Sequence, residues 1–364
     1  MILQTLTAFS NRFGSDPELV LAGGGNTSAK DGNTMYIKAS GTSLATITPD
    51  GFVAMDRQKL DAMLHKRYPS EDAAREAAAL ADLMDARLPG QNAKRPSVET
   101  LLHALFPVRY VLHLHPALVN GLTCAVDGAA WARRLFPNAV WIEASKPGYI
   151  LAKLCYERMT QYKAETGRDA DCLLLQNHGV FLADDDADAL GEKLQKMLDT
   201  LRAHCAFSPD FSPAAAEDPD LGERLAALYG KGSVYRFCGA SEAVRFAASE
   251  EAMRPLTEPF TPDHIVYCKA HPLYLPTGCD IQTAFADYRA KYGFAPRICY
   301  VQGSGFYALS DSERSVDAAV LLALDAIKIA VYCRAFGGAL PQSAALTDFI
   351  VHWEVEAYRA RQAQ

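Results

Sequence analysis

Paired cysteines are missing from this 364-residue chain: the nine present stand at 124, 155, 172, 205, 238, 268, 279, 299 and 333, scattered, with no CxxC among them. An odd, dispersed set excludes a disulfide framework and reads as reduced core thiols in a cytoplasmic protein. Positive charge is also in short supply. Thirty-six Lys and Arg face 43 Asp and Glu, a net charge of -7, which argues against nucleic acid or an anionic membrane as partner and leaves room only for a local basic pocket. No uncharged apolar run reaches the ~18 residues of a membrane span; the best candidate, AAVLLALDAIKIAVYC, is broken by Asp325 and Lys328. The opening MILQTLTAFSNRFGSD lacks a basic n-region and carries polar residues through its apolar stretch, so no signal peptide is expected. What remains is globular: 49% hydrophobic, 22% charged, mean hydropathy -0.05, long enough for about two domains.

Apolar runs rich in β-branched and aromatic residues alternate with helical patterns over the first 200 or so residues, the signature of a mixed α/β layer fold. They predict strands at 19–22, 34–39, 109–114, 139–143, 171–176 and 180–183, and helices at 57–66, 71–87, 97–106, 147–165 and 186–206. The short connection between 171–176 and 180–183 favours an antiparallel component. Residues 207–220, FSPDFSPAAAEDPD, hold three prolines and no period, which reads as a linker. It divides a domain at 1–206 from a smaller α/β domain at 221–364, which ends in helical patterns near 312–336 and 342–362.

The two parts share a string. CLLLQNHGVFLA at 172–183 and ICYVQGSGFYAL at 298–309 both run apolar strand, Gln, two variable residues, Gly, apolar strand, and the same offset aligns Leu198-Asp199 with Leu324-Asp325. Either the second domain is a diverged copy of the first or two unrelated hairpins coincide.

Candidate chemistry starts with His113 and His115, which close the apolar run VRYVLHLHP. With period two in a strand, both imidazoles project from one face, as half of a metal site or as two structural histidines. His178 stands in a strand-turn position beside Gly179, and Glu99 in the first turn of a helix, where it also suits a cap. Three imidazoles and one carboxylate would suit zinc, with manganese, cobalt or iron as alternatives. His103, one helical turn after Glu99, reads as structural, as a support behind the ligands, or as a substitute ligand. Gly23-Gly24-Gly25-Asn26-Thr27-Ser28 and Lys38-Ala39-Ser40-Gly41-Thr42 offer backbone amides and neutral donors to a phosphate, or are simply tight turns. No Walker loop or GxGxxG accompanies them.

Taken in order, GGGNTSAK, KASGTSL, RPSVET, HLHP and LLLQNHG resemble the class II aldolase/adducin head-domain family over about residues 1–206. The whole chain is similar to the aldolase part of bacterial rhamnulose-phosphate aldolase/short-chain dehydrogenase fusions; their dehydrogenase portion has no counterpart here, so no NAD is inherited. The resemblance implies α/β/α layers around a mainly antiparallel sheet, with a divalent metal, Zn2+ in the aldolases, on His113, His115 and His178. Glu99 falls on the acidic position that binds metal and acts as general base. Asn26, Thr27, Ser40, Gly41 and Ser97 fall on positions that contact a substrate's phosphate or oxygens, and Tyr149 is a candidate acid or, alternatively, a packing residue. Valine at 98 replaces a serine of many sugar-phosphate aldolases and removes one phosphate donor. The implied activity is aldol cleavage of a ketose phosphate or hydroxy-keto acid through a zinc-stabilised enediolate. Epimerase, decarboxylase, dehydratase and adducin-like binding modules share the fold. The expected partner is a small molecule, and the expected assembly a homo-oligomer, a tetramer by resemblance.

Overall fold

The computed structural model describes residues 2–91 and 93–353 and separates into two compact units, Met1–Val119 with Gly128–Ala203, and Asn120–Asp127 with His204–Gln364. Among the described residues no helix is long and apolar enough to cross a membrane.

The first unit is built on a seven-stranded sheet. Its strands are β1 (Asn26–Asp31), β2 (Thr34–Lys38), β3 (Phe52–Asp56), β4 (Tyr110–Leu114), β5 (Val140–Ile142), β6 (Cys172–Leu175) and β7 (Gly179–Asp184), in the order β3-β2-β1-β4-β7-β6-β5. All neighbours pair antiparallel except β5 with β6. One sheet face shares a core with the helices Arg57–His65, Asp72–Asp85, Thr100–Ala104 and Tyr149–Thr166, through Ile37, Val53, Leu60, Leu101, Val111 and Phe181. Beneath β1 the helix Ile2–Gly14 packs its Phe9 against Tyr110, ring centres 6.2 Å apart. The fold is thus the mixed α/β arrangement that the sequence predicts, on the mainly antiparallel sheet that the resemblance implies.

Strand β3 and the helices Ile2–Gly14, Ala117–Thr123 and Gly128–Leu135 are not among the predicted elements, and two predicted elements come out differently. Residues 19–22 form turns, not a strand, and Ala22 takes a left-handed φ of 50°. The strand lies just beyond, as β1, whose residues Asn26 to Lys30 are all buried. Its pattern escapes an apolar-periodicity test because its polar side chains are consumed internally: Thr27 Oγ1 lies 2.6 Å from Ser10 Oγ, and Ser28 Oγ 2.8 Å from His103 Nδ1. The helix expected at 97–106 is confined to Thr100–Ala104.

In the second unit, β8 (Val234–Cys238), β9 (Leu273–Leu275), β10 (Ile298–Val301) and β11 (Gly305–Ser310) lie in the order β8-β11-β10-β9. The β9–β10 pair is parallel and the other two are antiparallel, so order and sense repeat β4-β7-β6-β5. The repeat extends to single bonds. Gln176 N–H donates to Ile142 O and Gln302 N–H to Leu275 O; Ala183 N–H donates to Asp171 O and Leu309 N–H to Arg297 O. Left-handed Asn177 (φ 57°) matches left-handed Gly303 (φ 73°). The two frames thus share strand order, sense and turn geometry, which a chance match of two hairpins does not predict. Residues 207–218 hold no helix or long strand and are tied to the unit by Ala214 and Ala215 N–H donating to Gly239 O. Of the helical pattern at 342–362, Ala344–His352 is helix and the part beyond 353 lies outside the described residues.

Candidate metal centre

Strand period two brings the first two imidazoles together. His113 lies in β4, His115 follows its end, and their Nε2 atoms are 2.8 Å apart. His113 Nδ1 donates to Val180 O at 3.0 Å across the β4–β7 pair, which leaves the Nε2 lone pair free for a ligand. Phe181 stacks on the His113 ring at 3.9 Å. His178 comes from the tight connection between β6 and β7, where Gln176 Oε1 accepts from Ala144 N–H (3.2 Å) and holds the turn against the residues after β5.

Glu99 precedes the helix Thr100–Ala104 but makes no capping bond with its side chain. Its Oε1 lies 3.1 Å from His113 Nε2 and 2.9 Å from His178 Nε2, and its Oε2 accepts from Asn26 Nδ2 at 2.5 Å. One ligand atom from each of Glu99, His113, His115 and His178 falls within 4.8 Å of all the others. Burial pushes the His113 imidazole down to about 4, helped by His115 and His178 and opposed by Glu99. Burial pushes Glu99 up, but the imidazoles of His113 and His178 hold it well below the usual carboxylate range. A neutral His113 imidazole and an ionised Glu99 are the states a cation requires of these two ligands. The donor set, its convergence and the oriented His113 lone pair fit a divalent ion such as zinc.

The remaining expected residues divide. Asn26 touches Glu99, whereas Thr27, on the opposite face of β1, is fully buried and bonded to Ser10; the same period that unites His113 and His115 separates these neighbours. Ser97 Oγ accepts from Glu99 N–H at 3.3 Å. Ser40 N–H donates to Arg95 O, and Ser97 N–H to Lys38 O, so the Ser40-Gly41 turn is stitched to the segment that leads into Glu99. Tyr149 keeps other company: its ring lies 4.5 Å from Tyr68, its hydroxyl donates to Lys66 O at 3.3 Å and its N–H to Glu76. It sits in the apolar core, so the packing alternative describes it. His103 proves fully buried and bonded to both Asn26 and Ser28. Ser28, offered by the sequence only as part of the Gly23–Ser28 anion loop, shares a strand face with Asn26 and spends its hydroxyl on His103.

The model of the family described as "Class II Aldolase and Adducin N-terminal domain" matches residues 4–203. The uncharacterized oxidoreductase YuxG of Bacillus subtilis (strain 168) is 24% identical across 98% of this chain and 56% of its own length, so the chain spans little more than half of that relative. Among solved structures, the N-terminal class II aldolase domain of a conserved protein from Thermoplasma acidophilum is 24% identical, covers 55% of this chain and 92% of its own, and has a TM-score of 0.47. An L-fuculose 1-phosphate aldolase is 15% identical over 60% of this chain and 92% of its own, with a TM-score of 0.38. The family match takes in every residue of the histidine-carboxylate group and more than half of the sequence, and on that ground the chain belongs to the class II aldolase/adducin family.

Proposed function

We propose that this chain is a metal-dependent lyase that reversibly cleaves a carbon-carbon bond of a ketose phosphate or a related hydroxy-keto acid. The observation that carries the reading is the convergence of Glu99, His113, His115 and His178 in a largely buried group. A divalent cation held there, zinc first and manganese, cobalt or iron as alternatives, would supply Lewis acidity toward a carbonyl oxygen. Glu99 would take and return the proton at Oε1, the oxygen turned to the imidazoles, while Asn26 occupies Oε2. Phe181, stacked on His113, keeps water from that ring's inner side. Ser40, Gly41 and Ser97 would bind the substrate's phosphate or hydroxyls from the two stitched turns. In this reading the partner is a small molecule, and the chain works in the cytoplasm as a homo-oligomer, a tetramer by family resemblance.

The name of the Bacillus relative speaks of an oxidoreductase, but it belongs to a protein nearly twice as long as the matched part. Within this chain Gly303-Ser304-Gly305-Phe306-Tyr307-Ala308 spells GxGxxA, yet it turns directly into β11, whereas a dinucleotide site needs such a turn to open a helix. The deciding experiment is metal analysis of the purified chain coupled to a screen of ketose phosphates, free ketoses and hydroxy-keto acids, with product identification. Aldehyde release supports the lyase. Epimer, carbon dioxide or dehydrated product would move the assignment to a sister reaction of the family, and bound metal without any turnover would move it to a binding module.

A further inference from the structure

Metal ligation accounts for one oxygen of Glu99 and leaves the other to be explained. An ionised carboxylate can only accept, so the group 2.5 Å from Oε2 must be the NH2 of Asn26. Asn26 Oδ1 is therefore an acceptor, and its contact with His103 Nε2 puts the His103 proton on Nε2. His103 Nδ1 is then the lone-pair nitrogen and accepts from the Ser28 hydroxyl at 2.8 Å. Each assignment forces the next, and the sequence of donors runs one way, Ser28 to His103 to Asn26 to Glu99. Ser28 and His103 are fully buried and Asn26 is 5% exposed, so solvent is not at hand to replace a lost member. The His103 ring is itself steadied by Phe181, edge-on at 5.3 Å, the same ring that stacks on His113.

We propose that Ser28, His103 and Asn26 form a positioning chain that holds Glu99 with Oε1 toward the three imidazoles, and that Asn26 is thereby committed to Glu99 instead of to a substrate's phosphate. The proposal rests on reading the four-residue group as a metal centre. Without the His103 N–H, Asn26 is free to turn its amide over and present Oδ1 to Oε2, two acceptors in contact, and the carboxylate must rotate away. His103 acts through Asn26 and is a positioning residue, not a ligand.

The test is titration of the metal-stripped full chain with Co2+, read by the visible absorption of the bound ion, with thermal melting of each metal-free variant as the check on folding. Wild type that binds no Co2+ overturns the metal-centre reading and this proposal with it. Given wild-type binding, His103→Phe is expected to weaken Co2+ by about 10- to 100-fold and to change its spectrum, the usual cost of losing a partner behind a ligand. His103→Gln should stay within about threefold of wild type, because its amide can donate to Asn26 and accept from Ser28. Asn26→Asp should fall with His103→Phe, a result that a phosphate contact alone would not produce. Should His103→Phe fail to fold, Ser28→Ala takes its place with an expected loss of about three- to tenfold. Co2+ affinity and spectrum unchanged in the folded variant, or His103→Gln as weak as His103→Phe, would overturn the positioning chain while leaving the metal centre standing.

Discussion

Glu99 is asked to be both ligand and base at Oε1, with Oε2 held by Asn26, and substitution by glutamine tests the two tasks apart. In Glu99→Gln the three imidazoles remain, so Co2+ should still bind, weaker by at most about 100-fold, while kcat should fall by about 10²- to 10⁴-fold because a carboxamide accepts no proton. Steady-state kinetics at saturating metal reads the second effect free of the first; unchanged kcat would remove Glu99 from proton transfer. A second residue makes a prediction in pH. Lys30, 5% exposed on β1, donates to Val108 O at 3.2 Å, and burial pushes its ammonium down to about 7, with Arg57 acting the same way and Asp185 opposing. In the unfolded chain it titrates near ~10.4. Below pH 7 both states are protonated and the full burial cost is present. From there toward about pH 10 the unfolded chain holds a proton the folded one has shed, so this group makes stability rise with pH, by up to about 1.4 kcal/mol per unit. Lys30→Met should be more stable than wild type at pH 7 and lose that rise, as measured by urea unfolding at pH 7 and pH 9. Parallel pH dependences in the two proteins would show that Lys30 is not desolvated in this way.

The strands and turns decide how much of the site a bare sequence reveals. His113 and His115 were readable because their spacing needs only the strand period, and His178 because apolar strands flank it. Thr27 was misread for the same physical reason turned round: β1 looks like a glycine-led loop, and only its pairing with β4 sends Asn26 and Thr27 to opposite faces. For Tyr149 the sequence leaves acid and packing residue side by side, since nothing in SKPGYI tells that its hydroxyl is spent on Lys66 O. Glycines at two element ends explain how close the parts of the site approach. A Cβ on Gly25 would stand 2.9 Å from His113 O, and one on Gly179 would stand 2.4 Å from Leu114 O and 2.6 Å from the His115 ring. Gly179→Ala must therefore push β4 and its histidines, costing about 1–3 kcal/mol and weakening Co2+. Gly167→Ala, at a left-handed helix end with open space around it, is the control. It should carry the backbone strain, about 1 kcal/mol, with Co2+ affinity unchanged. Equal Co2+ affinities for both variants would detach the β7 turn from the site.

Across the whole molecule, a four-stranded frame occurs twice and only one occurrence carries ligands. Strand register identifies which residues stand at the equivalent positions of the second frame. Leu114 pairs with Val180 as Cys238 pairs with Phe306, so Phe237 stands for His113 and Gly239 for His115, while Ser304 stands for His178 by the common offset. A phenyl ring, a glycine and a hydroxyl cannot rebuild a zinc site. A Cβ on Gly239 would stand 2.3 Å from Ala215 O, so even the space for the second imidazole has closed. What the two frames share is the turn itself. Gln302 Oε1 accepts from Thr277 N–H at 2.9 Å as Gln176 Oε1 accepts from Ala144 N–H at 3.2 Å, which marks this glutamine as part of the frame and not of the chemistry. Replacing either by leucine strips a backbone N–H of its acceptor and should cost about 1 kcal/mol. The two variants part company at the metal: Gln176→Leu loosens the turn that carries His178 and should weaken Co2+ severalfold, while Gln302→Leu should match wild type in Co2+ affinity and in turnover. Denaturant unfolding beside Co2+ titration of the two variants measures both quantities. A loss of Co2+ affinity in Gln302→Leu equal to that in Gln176→Leu would refute an inert second frame, and no loss in either would show that His178 is held without its glutamine.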